Sequence, residues 1–349
     1  MISNRCRKLQ VWQDERVIVN QGITRYVTNP LNAFLMIKRA TSEIEQIKKR
    51  FPETSNQFYE KVQKILPSND DLTGAVDGLL RLQFIYKLKS EDFANGIIDG
   101  EVTRKPLSPH DLFVIGSQSL ELGDQLHFAE EYLKLAWVKL KSGLDINGDL
   151  AENDLLLKLI AVYKITGNYQ KAIEIVDVLV YKNPGNLKFM EEKQLLMEDL
   201  VRFGTSNIRQ NDPFDEFFFK NQKFTGRKDR ILYSQVCRGH LKKSNEELSK
   251  LHCRYVSNSA FSKLARFKIE EANLEPYIVL FIDVVYESEI ETLQEMTRPY
   301  IERAGIFADD TADGELSRNR VAQYAWHSDH EHEVVQRISN RVEVMSFEL

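Results

Sequence analysis

Residues 155–186 read LLLKLIAVYKITGNYQKAIEIVDVLVYKNPGN, and the reading of this stretch decides the fold of the chain's middle. Apolar residues recur at helical spacing on both sides of Gly167, which predicts two helices joined by a tight turn. The steric logic is specific. Ala172 is small enough to let the second helix approach the first, Leu159 and Tyr163 fill the cleft between them, and Pro184 stops the pair.

Leu159, Tyr163, Gly167, Tyr169, Ala172 and Pro184 fall in the tetratricopeptide register. Upstream, DLFVIGSQSLELGDQLHFAEEYLKLAW (111–137) is a looser copy, with Gly116 at a close-packing position. Residues 107–201 are therefore expected to form paired helices of a peptide-binding module. The same residues also suit a purely structural helical hairpin. Ahead of them, residues 1–106 are helical in pattern. Asn29 and Pro30 mark a helix start, and Ala33, Ile37, Ala40, Ile44, Ile47 and Phe51 follow at heptad spacing. That seam fits an amphipathic bundle helix or a self-association helix. The turn LPSNDD (66–71) offers Ser68 and Asp70 as caps for a further helix.

Downstream the pattern changes. Residues 202–230 read as a linker rich in Phe, Asn and Lys. In 231–349, YIVLFIDVV (277–285) reads as a buried strand and ESEIETLQEMTRPYIERA (287–304) as a helix with acids in its first turn. RNRVAQYAW (318–326) is a second strand candidate, so this segment opens an α+β domain. The formal charge of −5, with 47 basic and 52 acidic residues, shows no basic stripe, which argues against nucleic acid as a partner. No apolar run is long enough to span a bilayer, and the first residues lack the apolar core of a signal peptide. Cys6 stands apart, while Cys237 and Cys253 lie sixteen positions apart; buried free thiols are one reading of them.

Taken in order, NPLNAFLMIKR (29–39), GLLRLQFIYKL (78–88), AVYKITGNYQKA with NPGN (161–186), YSQVCRG with LHCRY (233–255) and RNRVAQYAW with EVVQRISNRV (318–342) resemble one family. It is the α subunit of collagen-type prolyl 4-hydroxylase, and the resemblance is collinear from about residue 26 to 345. It implies a mainly α chain: an N-terminal helical, coiled-coil dimerisation region, a tetratricopeptide-like peptide-binding domain, and the start of a double-stranded β-helix dioxygenase domain. It implies 4-hydroxylation of peptidyl proline with Fe(II), 2-oxoglutarate and ascorbate. The implied partners are a second α chain, protein disulfide isomerase as β subunit, and a Pro-rich or collagen-like peptide. The endoplasmic reticulum lumen is the implied location, which sets the expectation that a signal and an extra helix precede this start. The family equivalents of Cys237 and Cys253 form an intrachain disulfide, a closure that stabilises by roughly 3 kcal/mol on the chain-entropy model. Tyr163 is one of the family's peptide-facing tyrosines, and Leu157 and Ile160 stand where two more are expected. Leu195 and Glu198 likewise replace expected tyrosines in the next helix, so weaker or altered binding of Pro-rich peptide is expected. A non-catalytic helical-repeat adaptor for Pro-rich peptides is the alternative.

The stretch AWHSDHEHE (325–333) gathers three of the seven histidines and spells H-x-D at His327–Asp329. A 2-oxoglutarate dioxygenase needs two histidines and a carboxylate on iron, with open positions for oxygen and co-substrate. No histidine follows His332 and no lysine follows it either, and in the family the iron motif comes later than this turn. The stretch is therefore expected to be a solvated turn and helix cap, with Ser328 and Glu331 as a capping box, and no metal or catalytic residue is assigned. On this reading the chain ends before the iron ligands and is inactive by itself, whether as a fragment or as a non-catalytic relative.

Overall fold

The computed structural model describes residues 26–43, 66–102, 105–123, 126–143, 150–204, 227–306, 315–316 and 322–346. The chain divides into two compact units, residues 1–240 and 241–349.

In the first unit, helix α1 (Pro30–Lys38) starts where the sequence places it. The Asn29 side chain accepts hydrogen bonds from the Leu31 and Asn32 amides, and Pro30 occupies the position where a missing N–H costs nothing. A π turn, Arg39–Glu43, continues it. The stripe that α1 buries is Leu31, Phe34 and Lys38, whereas the expected seam residues Ala33, Ile37 and Ala40 are half-buried. Ile44, Ile47 and Phe51 lie outside the described residues. Helix α2 (Asn69–Tyr86) opens with a reciprocal capping box between Ser68 and Asp71, one residue beyond the expected Asp70. A short helix α3 (Ser90–Ala94) and a two-residue hairpin, β1 (Ile97–Ile98) with β2 (Glu101–Val102), follow.

Helices α4 (Pro109–Leu122) and α5 (Leu126–Lys141) form the first antiparallel pair. They approach so closely at Gly116 that a Cβ there would stand 2.8 Å from Leu133 Cγ. Helices α6 (Glu152–Ile165) and α7 (Tyr169–Lys182) form the second pair, and α8 (Leu187–Phe203) packs on α7. Ala172 is fully buried at the α6–α7 crossing, Leu159 and Tyr163 fill the core beside it, and α7 stops two residues before Pro184. Helix α9 (Arg227–Cys237) closes the unit, with Arg238 donating to the Ile85 carbonyl at 2.6 Å. One continuous core runs from Leu31 and Phe34 through Leu79, Phe93 and Tyr132 to Leu159, Val176 and Leu196. The N-terminal region and the helical pairs therefore share their apolar interior rather than packing as separate bodies.

Two polar devices lock this core. Lys38, inside the buried stripe of α1, pairs with Asp111 on the first turn of α4. Burial alone would raise the Asp111 carboxyl, but the Lys38 charge and the hydrogen bonds from Lys38 and Ser108 outweigh it and hold it below the usual range. At the other end, Tyr132 donates to Gln83 at 2.5 Å, Gln83 to Ser90 at 3.1 Å, and Ser90 to Glu131 at 2.5 Å, so α2, α3 and α5 share one satisfied network.

The second unit is α+β. A short helix α10 (Asn245–Ser249) precedes an antiparallel sheet of order β3 (Cys253–Val256), β4 (Phe267–Leu274) and β5 (Tyr277–Ile282), with α11 (Ala260–Leu264) between β3 and β4. The register pairs Val256 with Phe267 and Lys268 with Ile282. Helix α12 (Glu287–Thr297) ends in a 3-10 turn at Arg298–Tyr300, where Pro299 cannot extend the α-helix. Two short ribbons follow, β6 (Glu302–Arg303) with β9 (Gln323–Tyr324) and β7 (Gly305–Ile306) with β8 (Glu315–Leu316), then helix α13 (Glu333–Ser346). Arg341 of α13 grips Glu289 of α12 through two bonds of 2.8 and 2.9 Å and stacks over the Tyr286 ring.

One strand departs from expectation. The apolar run of β5 reads as a buried strand, yet Ile278, Leu280 and Ile282 are exposed. The reason is the face they share: Ile282 and Leu280 pair with the exposed Lys268 and Glu270 of β4, whereas Phe281 pairs with the buried Ile269 on the other side. Apolar content establishes that a segment is extended, not how many neighbours cover it.

Candidate functional site

The site is built from α6, the central helix of the pairs. Of the three peptide-facing positions expected there, only Leu157 offers substantial surface, at 42% exposed. Ile160 and Tyr163 lie in the core. Tyr163 donates its hydroxyl to Glu130 of α5 at 3.2 Å, and its ring lies below the ammonium groups of Lys171 and Lys134, 5.5 and 6.0 Å from its centroid. Burial, then the charge and hydrogen bond of Glu130, push the Tyr163 phenol up. Burial would raise Glu130 too, but Lys134, Lys171 and the Tyr163 hydroxyl hold it below its ordinary value. Tyr163 thus binds α5, α6 and α7 together from beneath the surface.

The outward face of α6 is tied to its neighbours by two ion pairs. Lys158 meets Glu121 of α4 at 3.2 Å, and Lys164 meets Glu192 of α8 at 2.8 Å. These pairs tie α6 to α4 on one side and to α8 on another. Leu157 precedes Lys158 on α6, and on α8 Leu195 is 53% exposed, three residues after Glu192. Glu198 is exposed one turn further and accepts from Gln194 at 3.1 Å. Leu157 and Leu195 are thus exposed aliphatic side chains at positions expected to carry tyrosine, while Tyr163, the one tyrosine in place, is buried. Sequence reasoning missed these ion pairs, although Lys158 and Lys164 are the two basic residues of α6. It also missed Glu152, the first residue of α6. Burial would raise that carboxyl, but bonds from Lys182, from Trp137 at 3.0 Å and from Lys141 at 2.9 Å bring it down to about 2.

The histidine cluster lies in the second unit and is otherwise engaged. His327 shares a 2.7 Å contact with Glu331 and a 3.4 Å contact with Thr297, and Asp329 accepts from Ser339 at 2.6 Å. His332 Nδ1 accepts from the Val334 amide at 3.1 Å and so caps α13. The expected capping box is corrected accordingly: Ser328 and Glu331 bond to each other in the turn before the helix, and the helix starts two residues beyond Glu331. Among the described residues no three His, Cys, Asp or Glu side chains gather to hold a metal ion. An iron facial triad does not fit donors held in this way. Cys237 on α9 and Cys253 on β3 are free thiols in this structure, one in each unit. No described helix is long and apolar enough to cross a membrane.

A helical-pair unit followed in sequence by an α+β unit is the class this architecture defines. Residues 3–100 match the family model for the prolyl 4-hydroxylase α-subunit, N-terminal region. Over 337 residues, 91% of this chain and 59% of the relative, the chain is 30% identical to prolyl 4-hydroxylase subunit alpha-2 of Caenorhabditis elegans. It is 28% identical over 340 residues to the human alpha-1 subunit, covering 91% of this chain and 61% of the relative. Residues 3–100 thus carry the N-terminal region of the prolyl 4-hydroxylase α-subunit family, and the chain, similar to these α subunits over 91% of its length, spans about three-fifths of theirs.

Proposed function

We propose that this chain is the dimerising and peptide-presenting part of a prolyl 4-hydroxylase α subunit. It pairs with a second α chain through its N-terminal helices and with protein disulfide isomerase as β subunit, in the endoplasmic reticulum lumen. Its tetratricopeptide-like helices bind Pro-rich, collagen-like chains destined for 4-hydroxylation of peptidyl proline. Fe(II), 2-oxoglutarate and ascorbate supply the oxidation in that reaction. The residues of this chain bind and orient the peptide. In the lumen Cys237 and Cys253 form an intrachain disulfide.

The observation that carries this reading is the similarity to α subunits over 91% of the chain, which includes all of helices α4 to α8. The surface supports it further. A polyproline II chain is already extended, so little backbone entropy opposes its binding to a shallow face. On that face Leu157 and Leu195 make the contacts, while Ile160 and Tyr163 set the shape from below. Aliphatic floors lack aromatic stacking and hydroxyl donors, so affinity is weak. Calorimetric titration of the whole chain with a (Pro-Pro-Gly)-repeat peptide tests this. Leu157→Tyr with Leu195→Tyr should tighten binding by roughly tenfold for each productive ring, and Leu157→Asp with Leu195→Asp should remove it. Binding unchanged in the aspartate variant would overturn the site.

A further inference from the structure

Helix α8 packs on α7 through Leu196, which is fully buried, with Phe189 and Leu200 half-buried beside it. About a third of a turn to one side of this stripe lies Leu195, on the proposed peptide face. About a third of a turn to the other side lie Leu187, Met190, Gln194, Met197 and Val201. All five are exposed, the apolar four from 46% at the two methionines to 88% at Val201. A helix that ends an array of helical pairs ordinarily turns a polar face outward, because no further repeat covers it. Helix α8 ends the array here and turns an apolar one outward. The five positions follow at spacings of 3, 4, 3 and 4. That is the seam of a coiled coil, narrower than the stripe that seats a helix in a globular core, and its complement is another helix of the same spacing.

We propose that this seam pairs with the same seam of a second copy of the chain, the two α8 helices lying parallel and in register. The polar residues decide both partner and direction. Glu191 and Glu198 flank the seam on one edge and Lys193 on the other. In a parallel pair Lys193 of each copy faces Glu198 of the other, whereas an antiparallel pair would set the two glutamate edges against each other. Lys193 lies 2.6 Å from Asp177 of α7, and its ammonium keeps two further donors for a second carboxylate. Register follows from Gln194. In register its amide meets its own copy, and each can donate and accept; any slip sets it against an apolar side chain. Because α8 is already ordered by α7, pairing does not have to offset the nucleation that makes short isolated helices unstable. The contact uses neither Leu157 nor Leu195, and it is distinct from the N-terminal pairing proposed above.

The test uses the full chain with Gln194→Cys, which puts a thiol at the centre of the seam. Oxidation by glutathione disulfide should join position 194 of two copies, a link located by peptide mass. Lys188→Cys, exposed on the same helix but outside the seam, should link about tenfold more slowly, because nothing holds its counterpart nearby. Added to Gln194→Cys, Met190→Lys with Met197→Lys should abolish the 194 link, and Glu198→Lys should slow it by setting Lys193 against a second cation. These are exposed side chains, so circular dichroism should be unaltered. Equal rates for Gln194→Cys and Lys188→Cys would mean chance collision and would overturn the proposal. So would a 194 link that survives the two lysines. A chain that sediments as a dimer yet forms no 194 link would overturn the seam and leave the N-terminal pairing standing.

Discussion

Replacing Gly116 by alanine should destabilise the first unit, although alanine is the better helix former. The new Cβ would lie 2.8 Å from Leu133 Cγ and 3.1 Å from both Cδ2 and the Leu133 backbone nitrogen. Leu133 is fully buried, and its backbone nitrogen belongs to α5, so rotating the side chain relieves only part of the clash. Overpacking of this kind costs about 1–3 kcal/mol. The gain in helix propensity returns about 0.5–1 kcal/mol. The loss therefore wins by roughly 1 kcal/mol, which corresponds to about 2–4 °C in the unfolding midpoint of a domain of this size.

Helix α2 supplies the control. Gly74 and Gly78 have nothing within 4 Å of an added Cβ, so alanine there should raise the midpoint by about 2–4 °C. Thermal unfolding of the three variants, followed by the helical circular dichroism signal, makes the comparison. If Gly116→Ala stabilised the chain as much as Gly78→Ala, α4 and α5 would not approach at Gly116, and the close-packing argument would fail.

Asp111→Ala removes one partner of a buried ion pair and an α4 capping residue together, and should cost about 3–5 kcal/mol in chemical denaturation. Because its carboxyl is held below the ordinary 3.8, its contribution is complete above that pH and disappears as the pH falls through the folded value, and an acid titration of stability should show this loss in the parent but not in Asp111→Asn. In the second unit the Arg341 hydrogen bonds bring Glu289 down to about 2, so its stabilisation should fade between roughly pH 4.5 and 2; an acid transition unaltered by Arg341→Met would contradict this. Peptide mapping without reductant, on protein recovered from a secretory compartment, should find Cys237 joined to Cys253, and two free thiols there would refute the pairing.

Local chemistry was well written in the sequence. Asn29 with Pro30, Ser68 before an acidic first turn, and Ser108-Pro109 with Asp111 each declare a helix start, because the orphan amides of a first turn need an acceptor nearby. Gly116 and Ala172 were legible for a related reason: a small residue inside an apolar helical run means that another backbone comes close. The Lys38–Asp111 pair was not read, although a lysine spaced with Leu31 and Phe34 on one stripe is a signal that a carboxylate waits in the core. The cap of α13 was misassigned for want of geometry. Ser328 and His332 both precede acids and apolar residues, and only the backbone path decides which side chain reaches an amide of the first turn.

The proposed peptide face shows why a site is harder to read than a fold. Helix α6 packs against α5 and α7 and is tied to α4 and α8 by ion pairs, so its buried sector includes Leu155, Leu156, Leu159, Ile160, Val162 and Tyr163. Helical spacing places Ile160 and Tyr163 on one side of the helix and Leu157 on the same ridge as Ile160, but it does not say where the neighbouring helices end and solvent begins. That boundary depends on how far α8 leans over α6, and the Lys164–Glu192 pair draws α8 toward it there. A tyrosine at position 160 would then need its hydroxyl in an apolar core without a partner, at a desolvation cost of about 1–3 kcal/mol. A tyrosine at Leu157 or Leu195 can keep its hydroxyl in water or on a peptide carbonyl. On the proposed function, the two exposed leucines are thus the positions at which an aromatic ring should add affinity without unsettling the core.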